Sequence, residues 1–126
     1  MKDRLWPFDF SEQMDEQYNL LKEYSDRLSE DSKGLFKGEI RRKFDEMSLW
    51  VCNTNYSEYF IKFFKISQNE DDIYPCIVTS YTDKKTKKVA NNSDELRSIL
   101  LEMIKSEATQ KALAYLLIAK NHKHNA

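Results

Sequence analysis

The sequence predicts an α+β fold: about four antiparallel strands, preceded by one helix and followed by two, with the helices packed on the sheet. Three observations carry this expectation. Asn55 to Tyr81, NYSEYFIKFFKISQNEDDIYPCIVTSY, is dense in aromatic and β-branched residues on either side of an acidic turn, the pattern of two paired strands. Stripes of apolar residues at helical spacing flank it on both sides in the chain. Strands and helices do not alternate, which argues against a parallel sheet of βαβ units.

The elements follow in order. Residues 1–10 hold Leu5, Trp6, Phe8 and Phe10 around Pro7. Side chains of that size are costly to leave in water, so this arm is expected to dock on the core or on a second copy of the chain. Ser11 suits a helix N-cap, with Glu12, Asp15 and Glu16 placing negative charge in the first turn. Met14, Tyr18, Leu21, Tyr24, Ser25 and Leu28 form one apolar stripe, and Gly34 provides the stop.

Leu35 to Cys52 reads equally well as two strands or as a helix through Ile40, Phe44, Met47 and Val51. Gly34, Gly38 and the strand-like run Leu49–Cys52 favour strands, with a turn at Asp45–Glu46. Phe36, Gly38, Ile40 and Phe44 then face the core, opposite Lys37, Glu39, Arg41 and Lys43, before Met47, Leu49 and Val51 return. Asn53–Asn55 is the turn into the central strand.

In that strand, strict alternation points Tyr59, Ile61 and Phe63 one way and Tyr56, Phe60, Phe64 and Ile66 the other. Apolar residues on both sides predict an interior strand covered on both faces, interrupted at different heights by Lys62 and Lys65. The next strand, Ile73 to Tyr81, contains Pro75, which predicts a free edge or a bulge there. Lys87–Ala90 is the candidate for a short additional edge strand.

Asn92 with Glu95 resembles a capping box, opening a helix with Leu96, Ile99, Leu100, Met103 and Ile104 inward. Ser106 caps a last helix on Ala112, Leu113, Leu116 and Leu117, and the polar segment 121–126 is expected to fray. All of 1–126 reads as one domain, large enough for a core without metal or disulfide staples. Cys52 and Cys76 lie in apolar runs and are expected to be reduced and buried, which suggests the cytoplasm. No segment approaches the roughly 20 apolar residues of a membrane span.

The chemistry is sparse. Gly34 and Gly38 are the only glycines, so a phosphate-binding glycine loop is excluded. Both histidines, His122 and His124, fall in the tail, so a serine triad or a His-rich metal centre would have to be built there, and a solvated terminus is the expectation over a weak two-imidazole metal site. Glu58 with Lys62, or Asp71 with Asp72, are the only carboxylate groupings near the central strands, and neither makes a recognisable constellation. No catalytic residue, metal or cofactor is expected. Lys84, Lys85, Lys87 and Lys88 form one basic cluster, and Arg41, Arg42 and Lys43 a looser strip. The lysine loop lacks interleaved aromatics apart from Tyr81, and the net charge is -1, so a solvated loop without nucleic-acid binding is the expectation.

These readings favour a small cytoplasmic interaction module, acting through protein–protein contacts and self-associating through the arm. A nucleic-acid binder using the two basic strips is the alternative, and a carboxylate-based metal enzyme ranks last.

Overall fold

The computed structural model describes residues 10–43, 45–56, 58–68 and 74–124, the side chains of 10–15 and 119–124 excepted. Helix α1 (Phe10–Asp31) precedes strands β1 (Phe36–Lys43), β2 (Glu46–Asn53), β3 (Phe60–Gln68), β4 (Cys76–Ser80) and β5 (Thr86–Ala90), and α2 (Ser93–Lys105) and α3 (Glu107–His124) close the chain. The strands form an antiparallel meander in the order β1-β2-β3-β4-β5, so the class is α+β with five strands rather than about four. The added strand is β5, the candidate edge strand extended back to Thr86.

Helix α1 begins at Phe10, so Ser11 lies within its first turn and not at the cap. At its other end Lys33 takes the left-handed conformation, and the Gly34 N–H closes on the Ser29 carbonyl at 2.7 Å. The disputed segment is two strands. Gly38 is the reason that β1 can lie so close under α1: a Cβ there would sit 2.3 Å from Ser25 Oγ and 3.0 Å from Ser25 Cβ. After β2, Thr54–Tyr56 makes a turn of 3-10 helix where a simple turn is expected.

Alternation from the strand registers sorts the paired strand residues onto two faces. On the first lie Phe36, Gly38 and Ile40 of β1, Met47, Leu49 and Val51 of β2, Ile66 of β3, Cys76 and Val78 of β4, and Ala90 of β5. This is the helical face. All three helices pack their buried apolar residues into the same cluster, with Leu21, Tyr24, Leu96, Leu100 and Leu116 among them.

The central strand departs from its predicted alternation. Leu49 pairs with Phe64 but Trp50 pairs with Lys62, so Phe63 is an extra residue, a β-bulge. The bulge reverses the phase of everything after it. Phe64 and Ile66, expected opposite Ile61, join it on the helical face, and Phe63 and Phe64 meet edge to face with centroids 5.9 Å apart. Lys62 and Lys65, expected on different faces, share the other one. Two apolar faces on paper are thus one apolar face and one cationic face in the folded strand.

Pro75 sits one residue before β4, and β4 is an interior strand, so the expected free edge or bulge at that position is absent from it. Asn92 Oδ1 accepts from the Glu95 N–H at 2.9 Å, while Glu95 Oε1 reaches the Asn91 N–H rather than that of Asn92, a capping box offset by one residue. Ser106 caps α3 by accepting from the Thr109 N–H at 3.2 Å. The α3 backbone continues to His124, into the segment expected to fray, because nothing there is Gly or Pro to end it. No helix among the described residues is long and apolar enough to cross a membrane.

Candidate functional site

The second face of the sheet carries no helix among the described residues. Ile77 and Val89, paired across β4 and β5 on this side, are 43% and 55% exposed, although both are branched apolar residues in strands. We refer to it as the open face.

Its centre is a connected layer of cations and aromatic rings spanning β1 to the end of β4. The Arg41 guanidinium lies 4.2 Å from the centroid of Trp50 and 5.3 Å from that of Phe60. Lys62 Nζ lies 5.7 Å from Trp50 and 4.6 Å from Tyr81, and Lys65 Nζ is 5.9 Å from Tyr81. Alternation brings Arg41, Trp50 and Phe60 to this side, and the bulge at Phe63 adds Lys65 to Lys62. The rings are held from below and from the side. Trp50 Nε1 donates to Ser48 Oγ at 2.8 Å, Arg41 Nε donates to Glu39 Oε2 at 2.6 Å, and Lys65 pairs with Glu46 at 3.2 Å. Exposed cation–ring interactions contribute at most about 0.5–1 kcal/mol for each cation, and less where the cation stays hydrated, enough to fix the rings' posture but not to drive the fold.

The charge on this face is one-sided. Lys37, Arg41, Lys43, Lys62, Lys65 and Lys87 project from it against Glu39 and Glu46. On the far side of the molecule, Lys22 and Arg27 are the only cations of the strongly acidic α1. The net charge of -1 therefore conceals a basic open face and a strongly acidic α1 behind the sheet. Tyr81 registers the local field. Burial alone would raise its phenol, but a hydrogen bond from Lys65 and the charges of Lys62 and Lys65 outweigh it and hold the phenol below its ordinary value.

The structure divides both basic groups that the sequence singles out. Arg41 lies on the open face, whereas its neighbour Arg42 lies on the helical face, 4.9 Å from the Tyr18 ring of α1. Lys87 belongs to the open face, whereas Lys88 points to the helical side and pairs with Glu102 of α2. Lys84 and Lys85 are exposed at the β4–β5 turn, both with positive φ, just beyond Tyr81. Trp50 and Phe60 were not among the sequence's candidates. Their aromatic platform is missing from the lysine loop because strands distant in the chain supply it.

Leu5, Trp6 and Phe8 lie outside the described residues, and of Phe10 only the backbone, which starts α1, is described. Asp71, Asp72 and Phe44 lie outside them too, as do the side chains of His122 and His124. Glu58 is exposed in the turn before β3. Among the described residues no group of three or more His, Cys, Asp and Glu is placed to hold a metal. Both thiols are free and fully buried: Cys76 on the helical face, pushed up to about 11 by burial, and Cys52 on the open face between Lys37 and Phe60. A cleft of about 580 Å³ separates α1 from the start of α2, with Glu16, Glu23, Tyr74 and Arg97 at its walls.

Fold and site together define a five-stranded meander, covered by helices on one face and left cationic and aromatic on the other. Comparison with protein families, with characterised proteins and with solved structures finds no match to this chain.

Proposed function

We propose that this protein is a small binding module whose working surface is the open face of the sheet and whose partner is anionic. The observation that carries this reading is the cation–aromatic layer of Arg41, Trp50, Phe60, Lys62, Tyr81 and Lys65, laid across successive strands on a face that carries no helix among the described residues. A solvated face has no need to order three half-buried rings between cations. Packing such a layer against negative charge neutralises the cations and buries the ring edges in one step. Retention on a polyanion resin tests the reading. At low salt the protein should be held on immobilised heparin despite its net charge, and Arg41→Glu with Lys62→Glu should release it. Passage of the unaltered protein straight through the resin contradicts the proposal.

A second reading, contact with protein or with a second copy, draws on a different surface. Tyr115 and Ile118 on the outer side of α3 are 53% and 62% exposed, beside the partly exposed Tyr59. This strip, together with the apolar arm of residues 1–10, favours self-association. Light scattering of the full chain and of a chain lacking residues 1–10 tests the self-association: a dimer that becomes a monomer supports it, and a full chain that is already monomeric rules it out.

A further inference from the structure

We propose that the anionic partner of the open face is single-stranded nucleic acid, held by stacking of bases against the Trp50, Phe60 and Tyr81 layer and by phosphate contacts to the surrounding cations. This rests on the binding reading above and names the partner class for the same face.

Four features select a single strand. The first is charge: the lysines and Arg41 outnumber the acids of the face, as a polymer with one negative charge per nucleotide requires. The second is alternation of cation and ring across the strands. Trp50 and Tyr81 stand on β2 and at the end of β4, two strand spacings or roughly 10 Å apart, with Lys62 between them. Bases stack on aromatic and guanidinium planes in any sequence, while the phosphates between them need cations at intervals. The third is shape. Among the described residues no helix or ribbon stands out of this face to enter a duplex groove, and a duplex would keep its bases away from the rings. The fourth is position. The ring layer occupies the middle of the sheet, where β2, β3 and β4 are already paired on both sides. A peptide adding as a strand would bind at β1 or β5 and leave the layer unused. A second copy of the chain docking by the same face would bring like charges together.

Lys84 and Lys85 extend the track. The β4–β5 turn that carries them follows Tyr81 directly, at the end of the sheet where Phe60 and Lys62 also lie. A strand crossing the rings would leave the sheet over this turn.

The test is fluorescence anisotropy of a labelled oligo-dT or oligo-rU of about 20 nucleotides, long enough to exceed the usual site of one small domain. Trp6→Phe serves as background, so that Trp50, the other of two tryptophans, reports alone. Binding is expected at low salt, with quenching of Trp50. A sugar–phosphate strand of the same length without bases should bind at least tenfold more weakly, and Trp50→Leu should cost the base-bearing strand about tenfold. Lys62→Gln and Lys87→Gln should each reduce the salt slope by about 0.7, whereas Lys88→Gln, on the helical side, should leave it unchanged. Equal affinity for the base-free strand or for polyglutamate would overturn the nucleic-acid assignment while leaving an anionic partner. Preference for a duplex, or an effect of Lys88→Gln as large as that of Lys87→Gln, would overturn it as well. No binding to any of these polyanions would remove both this inference and the reading beneath it.

Discussion

The two faces of this sheet are built from the same strands and obey different rules. On the helical face, residues from all five strands and three helices close over one another, and selection of a residue there is selection for volume. On the open face the same strands display Arg41, Trp50, Phe60, Lys62 and Tyr81, none fully buried, each defined by its ring or its charge. The contrast teaches where stability and recognition are separated in a small domain. Truncation should be expensive on one face and cheap on the other, and charge changes should behave in the opposite way for binding.

The largest expected effect tests the helical face directly. Phe63, 2% exposed at the bulge, should cost about 3–5 kcal/mol on replacement by Ala, from lost burial and an unfilled cavity. Phe60→Ala, three residues earlier on the open face, should cost about 1 kcal/mol. Urea denaturation of the two variants measures the difference. Equal losses would mean that the open face is as thoroughly covered as the other.

Alkaline pH should separate the faces by sign. Burial pushes Cys76 up from 9.0 to about 11 and Tyr74 up from 10.0 to about 12. The folded chain thus holds these protons to higher pH than the unfolded chain does. Their contribution is complete below the ordinary values and disappears as pH rises through the folded ones, so stability should fall between about pH 9 and 12. Cys76→Ser or Cys76→Ala should remove on the order of 2 kcal/mol of that decline. Tyr81 acts in reverse: its lowered value means that its contribution is present above the ordinary tyrosine value and is lost as pH falls through the folded one. Near-ultraviolet titration should lose its earliest tyrosinate step in Tyr81→Phe and its latest in Tyr74→Phe.

Gly38→Ala comes next in size. The new methyl would meet Ser25 of α1 at distances that side chains do not tolerate, so helix and strand must separate by some tenths of an ångström at a cost of about 1–3 kcal/mol. The same substitution at Gly34 has open space around it but strains a positive φ, and about 1 kcal/mol is expected there. Thermal melting of both variants distinguishes a crowding loss from a conformational one.

Much of the fold was legible. The helical stripes, the caps at Asn92 and Ser106, the two strands of the ambiguous 35–52 segment and the buried cysteines all follow from local pattern, and local pattern is what a sequence displays. The open face was legible on β1, where Lys37, Glu39, Arg41 and Lys43 were expected opposite the core, but on the central strand a single residue hid it. With strict alternation, Phe60, Phe64 and Ile66 share a face and the central strand reads as buried on both sides. The bulge at Phe63 has no marker in the sequence, neither Gly nor Pro, and it moves Phe64 and Ile66 inward while bringing Lys62 and Lys65 together. The partnership of Arg41 with Trp50 is equally silent, because it depends on the β1–β2 register. The split of Lys87 from Lys88 and of Arg41 from Arg42 could have been read from alternation alone, since neighbours on a strand face opposite ways.

The smallest expected effect on stability is the sharpest test of the contrast. Arg41→Gln removes a guanidinium that touches two rings and Glu39, and Lys62→Gln removes an ammonium placed between Trp50 and Tyr81. If these contacts exist to hold the fold, the two changes together should cost 2 kcal/mol or more, about twice a typical exposed cation–ring contact for each. If they exist to present a surface, each should cost about 0.5 kcal/mol or less, because the cations are half solvated and the rings keep their apolar contacts without them. The second outcome is expected. Removing Arg41 leaves Glu39 an unpaired exposed carboxylate, which is inexpensive in water, and removing Lys62 takes one member from a crowded set of like charges. Chemical denaturation of the double variant decides between them: a loss near 1 kcal/mol or below keeps the open face as a binding surface, and a loss of several kcal/mol makes it a second structural layer.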